Sequence, residues 1–242
     1  KELFFPHSLG LLYSAVTYYI GFKVNSGEYK VMGLAPYGRP VYKDLMIEKL
    51  MDLKEDGSFR LNMDYFNYCT GLTMTNDRFS KLFGKPVRGR EDELLDQFHM
   101  DMAASVQAVT EEIVTRLVKS LIAETGLENV CLAGGVALNC VANGKLVREG
   151  VVKNLWVQPA AGDAGGALGA ALLAYHLYQD QPRTVDSSKM DGMHGSYLGP
   201  SYDNDVTQAQ LREAGAKFEV IESEEELIEK TASLLAAERV VG

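Results

Sequence analysis

The chain has 242 residues, 46% of them hydrophobic, and a formal net charge of −9, enough for one large domain or a domain and a half. The acidic balance excludes nucleic acid as the main partner, because phosphate backbones select basic surfaces. No apolar run is long enough to cross a membrane and no signal peptide opens the chain, so a cytoplasmic protein without a membrane partner is expected.

The first hundred residues predict helices joined by a long loop. Apolar and small residues over Ser8 to Phe22 predict a buried helix that Gly21 ends. The segment Val24 to Gly38 is rich in glycine and poor in charge, which predicts an ordered functional loop. Tyr42 to Leu53 has the pattern of a short amphipathic helix, and a hairpin is expected near Phe59 to Leu61.

The longest periodic segment runs from His99 to Thr125. Apolar side chains recur there on one face at helical spacing, and Gly126 has the position of a C-terminal cap. A polar linker begins after Asp180, which places a domain boundary near residue 182. Beyond the linker, Ser223 to Arg239 predicts an acidic amphipathic helix.

Two strand–glycine–helix units precede the linker. Asn129 to Leu146 forms the first and Leu155 to Ala171 the second, each with an apolar run fit for a buried strand, then a glycine turn and a helix. Glycines let the backbone approach a ligand, and a helix N-terminus offers free N–H donors. Such turns also serve close packing alone. Their tandem arrangement favours a site for a nucleotide or another phosphate-bearing anion, although neither turn is a Walker loop or a dinucleotide fingerprint.

The three cysteines lack the spacing of a metal site. Cys131 lies in a predicted strand and Cys140 in a predicted helix. Buried, unpaired thiols in a reducing cytosol are therefore expected.

Four motifs resemble the O-carbamoyltransferases, the family of nodulation protein U and the carbamoyltransferases of antibiotic biosynthesis. They are Phe5–Tyr13, Asn25–Gly38, Ala133–Asn139 and Gly162–Gly169. The resemblance implies an α/β fold of the actin/Hsp70/sugar-kinase (ribonuclease-H-like) type for residues 1–182, incomplete at its N-terminus and similar to the protein that makes threonylcarbamoyladenosine in tRNA. Residues 183–242 would then be a linker and the start of a second α/β domain, the C-terminal carbamoyltransferase domain.

The resemblance also implies a reaction. The family uses ATP and carbamoyl phosphate to form carbamoyl-adenylate, and then moves the carbamoyl group to a hydroxyl of a sugar or a secondary metabolite. The implied cofactors are ATP and a divalent metal, either iron or a substitute such as manganese or magnesium. A homodimer is compatible with the resemblance.

Two departures from the family pattern stand at the ends of the chain. The family's His-His-x-x-His and Asp-Gly segments would precede Lys1, and its Gly-Arg-Met-Glu-Phe-Gly-Pro-Arg-Ala-Leu-Gly motif would follow Gly242. Together with the missing initiator methionine, they indicate a piece of a longer protein, with a processed mature protein as the alternative. This piece alone is expected to have the character of a nucleotide-binding fold and to catalyse little or no carbamoyl transfer.

Asp163 is the predicted metal ligand. It precedes the second helix, where a carboxylate often only caps free N–H groups, and that capping role is the alternative. The family's aspartate at this motif binds a divalent metal, and the resemblance carries this role to Asp163. A carboxylate together with histidines and nucleotide oxygens suits such a cation.

The predicted nucleotide contacts come from both turns. Asn139 and Asn143 are four residues apart and are expected to share a helix face, where their amides can read ribose or adenine edges. Solvent exposure is the alternative for both. Backbone N–H groups of the glycines would reach the phosphates, so the full set is Gly134, Gly135, Asn139, Asn143, Gly165 and Gly166.

Two residues of the N-terminal motifs are predicted to be catalytic. His7 is expected at the carbamoyl or phosphate site, although a histidine before an apolar helix is often only a partly buried residue. Lys30, beside glycines, can stabilise charge on a transferring phosphoryl or carbamoyl group, and a solvated loop lysine is the alternative. Two rival functions stay open: a sugar kinase of the same superfold, and a non-catalytic nucleotide-binding module whose acidic C-terminal helix docks a partner.

Overall fold

The computed structural model describes residues 2–89, 94–188 and 191–241. The chain divides into two compact units, Lys1–Val185 and Asp186–Gly242. The sequence placed its boundary near residue 182. The assignment of the second unit to the start of a catalytic domain stays a prediction.

The first unit is helical, with two small sheets. Its helices and strands follow in the order α1 (Leu9–Tyr19), α2 (Glu28–Leu34), α3 (Lys43–Leu50), β1 (Met51–Leu53), β2 (Phe59–Leu61), α4 (Asp77–Phe83), α5 (Gln97–Thr125), β3 (Asn129–Leu132), α6 (Cys140–Arg148), β4 (Asn154–Val157) and α7 (Gly165–Leu173). Short 3₁₀ turns cover Ala35–Tyr37, Met63–Tyr65 and Gly135–Leu138, and a π-helical turn over Ala174–Tyr178 continues α7.

The predicted first helix is confirmed as α1. The Ser8 hydroxyl accepts a hydrogen bond from the backbone N–H of Leu11 at 3.3 Å, which satisfies one of the donors that a helix N-terminus leaves open. Gly21, with φ of +84°, lies just beyond the C-terminal end. A left-handed residue at this place is the usual way to stop a helix.

The functional loop predicted over Val24 to Gly38 is wrong in its secondary structure, because the segment contains α2. The carboxylate of Glu28 accepts hydrogen bonds from the backbone N–H groups of Asn25 and Gly27 at 3.0 and 3.2 Å. It also accepts one from the Ser14 hydroxyl on α1 at 2.7 Å. These bonds fix the chain where it enters α2 and fasten it to α1.

Helix α5 is the longest element of the first unit and joins its two hydrophobic clusters. Its 29 residues span about 43 Å at 1.5 Å per residue. The N-terminal half packs in the main core with α1, α3, α4 and the hairpin. The C-terminal half places Val118 in a smaller cluster with Val130, Leu146 and Val152. The sequence prediction of this helix and of its cap Gly126, at φ of +70°, is confirmed.

The two sheets have two strands each among the described residues. Strands β1 and β2 form the predicted antiparallel hairpin, so only the first part of the expected helix over Tyr42 to Leu53 is helical. Strands β3 and β4 are parallel, with Asn129 opposite Asn154 and Leu132 opposite Val157. They were expected to be buried, but among their described residues only Val130 is. One face of the pair packs in the smaller cluster, whereas Cys131 and Trp156 on the other face are exposed. An actin-like architecture stays a prediction.

The cysteines are unpaired, as expected, but the prediction that they are buried is wrong. Cys69, Cys131 and Cys140 are all exposed. Cys131 lies on the open face of β3, and Cys140 is the first residue of α6. The Sγ atom of Cys140 lies 3.9 Å from the Sδ atom of Met32, which brings α2 next to the start of α6.

The second unit contains α8 (Asn204–Glu213) and α9 (Glu224–Ala236) in its described residues. Ser223 caps α9 by accepting from the backbone N–H of Glu226 at 3.3 Å, and three glutamates fill the first turn, where the helix dipole favours negative charge. The predicted acidic helix is therefore confirmed. Over the part of the chain that the structure describes, no helix combines the length and apolar character needed to span a membrane.

A capping box closes the start of α5. The Asp96 carboxylate accepts from the backbone N–H of His99 at 3.3 Å, and the backbone N–H of Asp96 donates to Nδ1 of His99 at 3.1 Å. Burial lowers the pKa of His99 from its usual 6.5, against the opposing effect of the Asp96 charge. A hydrogen bond from the Lys85 ammonium lowers the pKa of Asp96. The neutral imidazole is therefore the form that the fold uses.

This arrangement predicts a loss of stability in mild acid that depends on His99. The unfolded chain binds more protons because its histidine pKa of 6.5 lies above the folded value, so the free energy of unfolding falls as pH drops below 6.5. His99→Gln keeps an acceptor at this position of the box without titrating. Urea unfolding at about pH 7.5 and about pH 5.5 should show a smaller decrease in the variant than in the wild type. Equal decreases in the unfolding free energy of the two proteins would contradict the assignment of this acid sensitivity to His99.

Candidate functional site

The two glycine turns lie side by side at one edge of the parallel pair. Strands β3 and β4 are parallel neighbours, so their carboxyl ends meet at the same edge, and a glycine turn follows each. The backbone N–H of Gly134 in the first turn donates to the carbonyl oxygen of Ala161 in the second at 2.8 Å. Open α/β sheets bind their ligands outside this edge, and we refer to the joined turns as the turn edge.

Several backbone N–H groups at the turn edge have no hydrogen-bond partner in the described chain. Within residues 94–188, the N–H groups of Gly135 and Val136 make no hydrogen bond, and neither do those of Gly162 and Asp163. Each pair is consecutive in its turn, and the Gly134–Ala161 hydrogen bond keeps the two pairs near each other. Successive free N–H groups of this kind form concavities that bind anions.

The predicted glycines differ in what the fold requires of them. Gly134 has φ of +99°, a conformation that strains other residues. A Cβ on Gly165 would lie 2.2 Å from the carbonyl oxygen of Ala160, so packing excludes a side chain there. Neither reason applies to Gly135 or Gly166, because a Cβ on either would meet nothing within 4 Å. At these two positions the absence of a side chain leaves room for a ligand.

Asp163 is exposed, and the alternative interpretation that it only caps the second helix is wrong. Helix α7 begins at Gly165, and its cap residue Ala164 offers no side-chain acceptor. The backbone carbonyl of Asp163 accepts from Gly166 N–H at 3.1 Å, whereas its carboxylate makes no hydrogen bond or ion pair with any described residue. The carboxylate is therefore available to a ligand. No group of three or more His, Cys, Asp or Glu side chains that could hold a metal occurs among the residues described.

The two asparagines do not share a helix face as predicted, because Asn139 is the cap residue of α6. Its Oδ1 accepts from the backbone N–H of Ala142 at 3.0 Å. Asn143 is half-buried, and its Nδ2 donates to the carbonyl of Ala137 at 2.7 Å. Both amides thus have structural partners that shape the first turn. Their predicted contacts with a nucleotide stay predictions.

The two predicted catalytic residues occupy different surroundings. His7 is half-buried, and its Nδ1 accepts from the backbone N–H of Leu61 on β2 at 3.1 Å. Two residues into α1, a methyl group on Gly10 would touch the side chain of Val136, so the start of α1 reaches the first turn. Lys30 is exposed on α2, and no hydrogen bond or ion pair within the described chain joins it to either turn.

The sequence missed a buried polar cluster that holds the first turn. Gln107 on α5 and Asn139 exchange two amide hydrogen bonds, at 3.1 and 2.9 Å. Gln107 also accepts from the hydroxyl of Tyr13 at 3.1 Å and donates to the carboxylate of Glu111 at 3.0 Å. Both lone pairs and both hydrogens of its amide are therefore satisfied. A single amide among the apolar residues of a helix face was the signal for it.

The buried centre of this cluster carries no charge, because the phenol of Tyr13 stays protonated. Burial raises the pKa of Tyr13, and the carboxylates of Glu28 and Glu111 add to the effect. The phenol therefore stays protonated and donates to Gln107. The ammonium of Lys145 on α6 lies 3.2 Å from Glu111 on α5, so the partly exposed rim of the cluster also ties α6 to α5.

Comparisons with known proteins agree with these motifs. Residues 1–172 match the family model described as carbamoyltransferase N-terminus. An uncharacterized protein of Synechocystis is 59% identical, over 100% of this chain and 39% of its own length. Nodulation protein NolNO of Sinorhizobium fredii is 36% identical, over 98% of this chain and 32% of its own length. Nodulation protein NolO of Bradyrhizobium diazoefficiens is 33% identical, over 98% of this chain and 40% of its own length. The chain thus spans well under half the length of these relatives.

The buried amide pair predicts graded losses of stability. Gln107→Leu leaves the Nδ2 atom of Asn139 and the hydroxyl of Tyr13 without partners, and should lower the free energy of unfolding by about 2–4 kcal/mol. Tyr13→Phe removes one donor and leaves the amide pair intact, so about 1 kcal/mol is expected. Urea unfolding of both variants and of the double variant measures the coupling. Equal losses in the two single variants would contradict a central role for Gln107.

Two neighbouring glycines provide a matched pair of substitutions. Gly165→Ala forces a Cβ against the carbonyl of Ala160 and should cost about 1–3 kcal/mol in unfolding free energy. Gly166→Ala meets open space inside a helix and should stabilise the protein by about 0.5–1 kcal/mol. Thermal unfolding of the two variants gives the comparison. The same direction of change in both would show that packing does not distinguish the two positions.

Proposed function

The chain belongs to the carbamoyltransferase N-terminal family, and from this membership we propose that its protein transfers a carbamoyl group to a hydroxyl of a small molecule. ATP and carbamoyl phosphate are the proposed source of a carbamoyl-adenylate, and a sugar or a secondary metabolite is the proposed acceptor. The observation that carries the proposal is the turn edge, where two glycine turns are joined by the Gly134–Ala161 hydrogen bond and present unpaired N–H donors.

The adenylate suits the chemistry of the turn edge. Its phosphate is an anion, and the free N–H groups of Gly135, Val136, Gly162 and Asp163 are donors that need no side-chain charge. The open space at Gly135 and Gly166 allows the backbone to approach the phosphate closely. Donors held in place by the fold also stabilise charge that develops on the leaving phosphate during transfer.

His7 is proposed to act as a hydrogen-bond donor at this site. Because Nδ1 accepts from Leu61 N–H, the neutral ring carries its proton on Nε2. That N–H can donate to a carbonyl or phosphate oxygen of the carbamoyl donor. Lys30 stays a prediction from the motif, since its exposed ammonium has no described contact that directs it to the turn edge.

The proposed metal is only partly accounted for by this chain. Asp163 supplies one unpaired carboxylate beside the donors, a ligand type that suits a divalent cation. The described residues do not bring together the further side chains that a metal site needs. We therefore assign only one ligand to the chain, and the others would come from nucleotide oxygens and from family motifs that this sequence does not contain. The actin-like architecture, proposed on the same resemblance, would place them around one cleft.

Asp163 can be tested without measuring turnover. In the full-length protein, isothermal titration with AMP should show tighter binding when Mn²⁺ is added. Asp163→Asn should reduce that Mn²⁺-dependent gain more than about tenfold, because even partners of metal ligands contribute 10–100-fold. Asp44→Asn removes an exposed carboxylate on α3. This control variant should keep the full Mn²⁺-dependent gain in AMP affinity. Both variants should keep their urea midpoints, as surface changes cost about 0.5 kcal/mol or less.

The outcomes separate the proposal from its rivals. An unchanged Mn²⁺ effect in Asp163→Asn would remove the metal assignment. AMP release that requires carbamoyl phosphate and a hydroxyl acceptor would support the transferase. Nucleotide binding without any such release would favour the non-catalytic module, and ATP-dependent sugar phosphorylation would favour the kinase.

A further inference from the structure

Two of the four family motifs meet at a buried amide that belongs to neither. Tyr13 is the last residue of the motif Phe5–Tyr13, and Asn139 is the last residue of the motif Ala133–Asn139. Both bind the side chain of Gln107 on α5, from which they are 94 and 32 residues away in the sequence. The proposed carbamoyl transfer assigns no part to this glutamine, although it is the point that the two motifs share.

A short series of contacts connects the amide pair to the unpaired donors of the first turn. The backbone N–H of Asn139 donates to the carbonyl oxygen of Val136 at 3.0 Å, which closes the 3₁₀ turn over Gly135–Leu138. The side chain of Val136 packs against the main hydrophobic core. The free N–H groups of Gly135 and Val136 therefore belong to a turn whose C-terminal end is placed by Asn139, and Asn139 is held by Gln107.

The amide of Gln107 has one favourable orientation. The backbone N–H of Ala142 donates to Oδ1 of Asn139 at 3.0 Å, so the Nδ2 group of Asn139 must face Gln107 Oε1. A Gln107 amide rotated by half a turn would set two donors against each other at Asn139. It would also set its oxygen against the carboxylate of Glu111, which accepts only. Both amides are buried, and the pair therefore fixes Asn139 in one place.

We propose that Gln107 is a positioning residue for the anion that binds at the turn edge. It does not touch the ligand, but it holds Asn139 and so keeps the N–H groups of Gly135 and Val136 in the arrangement that binds an anion. The assignment rests on the proposed function, because it takes the turn edge to be the phosphate site. It adds a residue that controls affinity from α5, outside both glycine turns and outside all four motifs.

The first test compares AMP affinity with stability in the full-length protein. Gln107→Leu keeps a side chain of similar size but gives Asn139 Nδ2 no acceptor. Isothermal titration should show an AMP Kd about tenfold higher than that of the wild type, which is the effect of misaligning one hydrogen bond to a charged group. Circular dichroism at the titration temperature confirms that the variant is folded.

Ser105→Ala is the matched control on the same helix. Ser105 is buried, and its hydroxyl accepts from the backbone N–H of Tyr42 at 3.0 Å and donates to the carbonyl of Asp101 at 2.6 Å. It precedes Gln107 by two residues and therefore faces another side of α5. Its loss should lower the melting temperature, whereas the AMP Kd should stay within about twofold of the wild-type value.

The second test restores the hydrogen bonds by pH. In Gln107→Glu the introduced carboxyl group is buried beside Glu111, and the other groups that face it are Tyr13, Glu28 and Lys145. Burial and the neighbouring carboxylates raise its pKa above the usual value of about 4.3. At about pH 8.5 it is ionised, has no hydrogen to donate to Asn139 and is repelled by Glu111. The AMP Kd should then be about tenfold above that of the wild type.

At lower pH the same variant should recover. The protonated carboxyl group has the shape of the amide, with a carbonyl oxygen to accept from Asn139 Nδ2 and an O–H to donate. At about pH 6 the AMP Kd should therefore return to within about threefold of the wild-type value. Each Kd is divided by the wild-type Kd at the same pH, which removes the titration of AMP and of His99. Gln107→Leu has no group that titrates, and its ratio should be the same at both pH values.

The outcomes distinguish this assignment from the function on which it rests. A ratio that recovers with falling pH in Gln107→Glu and stays high in Gln107→Leu supports the positioning role. An unchanged AMP Kd in Gln107→Leu, an equal rise in Ser105→Ala, or no recovery in Gln107→Glu would overturn that role and leave the turn edge as a site. Wild-type protein that does not bind AMP would overturn the turn edge as a nucleotide site, and the positioning role with it.

Discussion

The reciprocal amide pair between Gln107 and Asn139 connects the core of the first unit to its candidate site. Gln107 belongs to α5, whose N-terminal half is anchored in the main hydrophobic core. Asn139 caps α6 and ends the first glycine turn. Because every polar atom of the Gln107 amide is satisfied in a buried setting, the pair has one favourable geometry. The pair thereby fixes the first turn relative to the core. The Gly134–Ala161 hydrogen bond then fixes the second turn relative to the first.

Local signals were sufficient for the elements that depend on nearby residues. The apolar period of α5, its glycine cap and the helix α1 with Gly21 beyond its end are all contained within a few turns of sequence, and the structure has them where they were expected. The hairpin at β2 and the acidic helix α9 are of the same kind. The family motifs were also sufficient to identify the family, because they are long and specific. These features needed no knowledge of what lies on the other side of the core.

The features that the sequence did not reveal depend on distant partners. Segment Val24 to Gly38 looked like a loop from its glycines, but Glu28 organises it as a helix through bonds that include Ser14 on another element. Cys131 looked buried, but it lies on the exposed face of β3, opposite to the face where Val130 packs in the smaller cluster. Asn139 looked like a ligand contact, and its main partner is 32 residues away in the sequence. Pairings of this kind cannot be derived from periodicity or composition.

At the turn edge, groups required by the fold alternate with groups that are left open to a ligand. Gly165 is required by packing while its neighbour Gly166 faces open space, and the paired N–H of Gly134 stands beside the unpaired N–H of Gly135. Backbone N–H groups that the fold leaves unpaired and accessible are open to a ligand, and consecutive ones suit an anion. The paired groups beside them hold those donors in place.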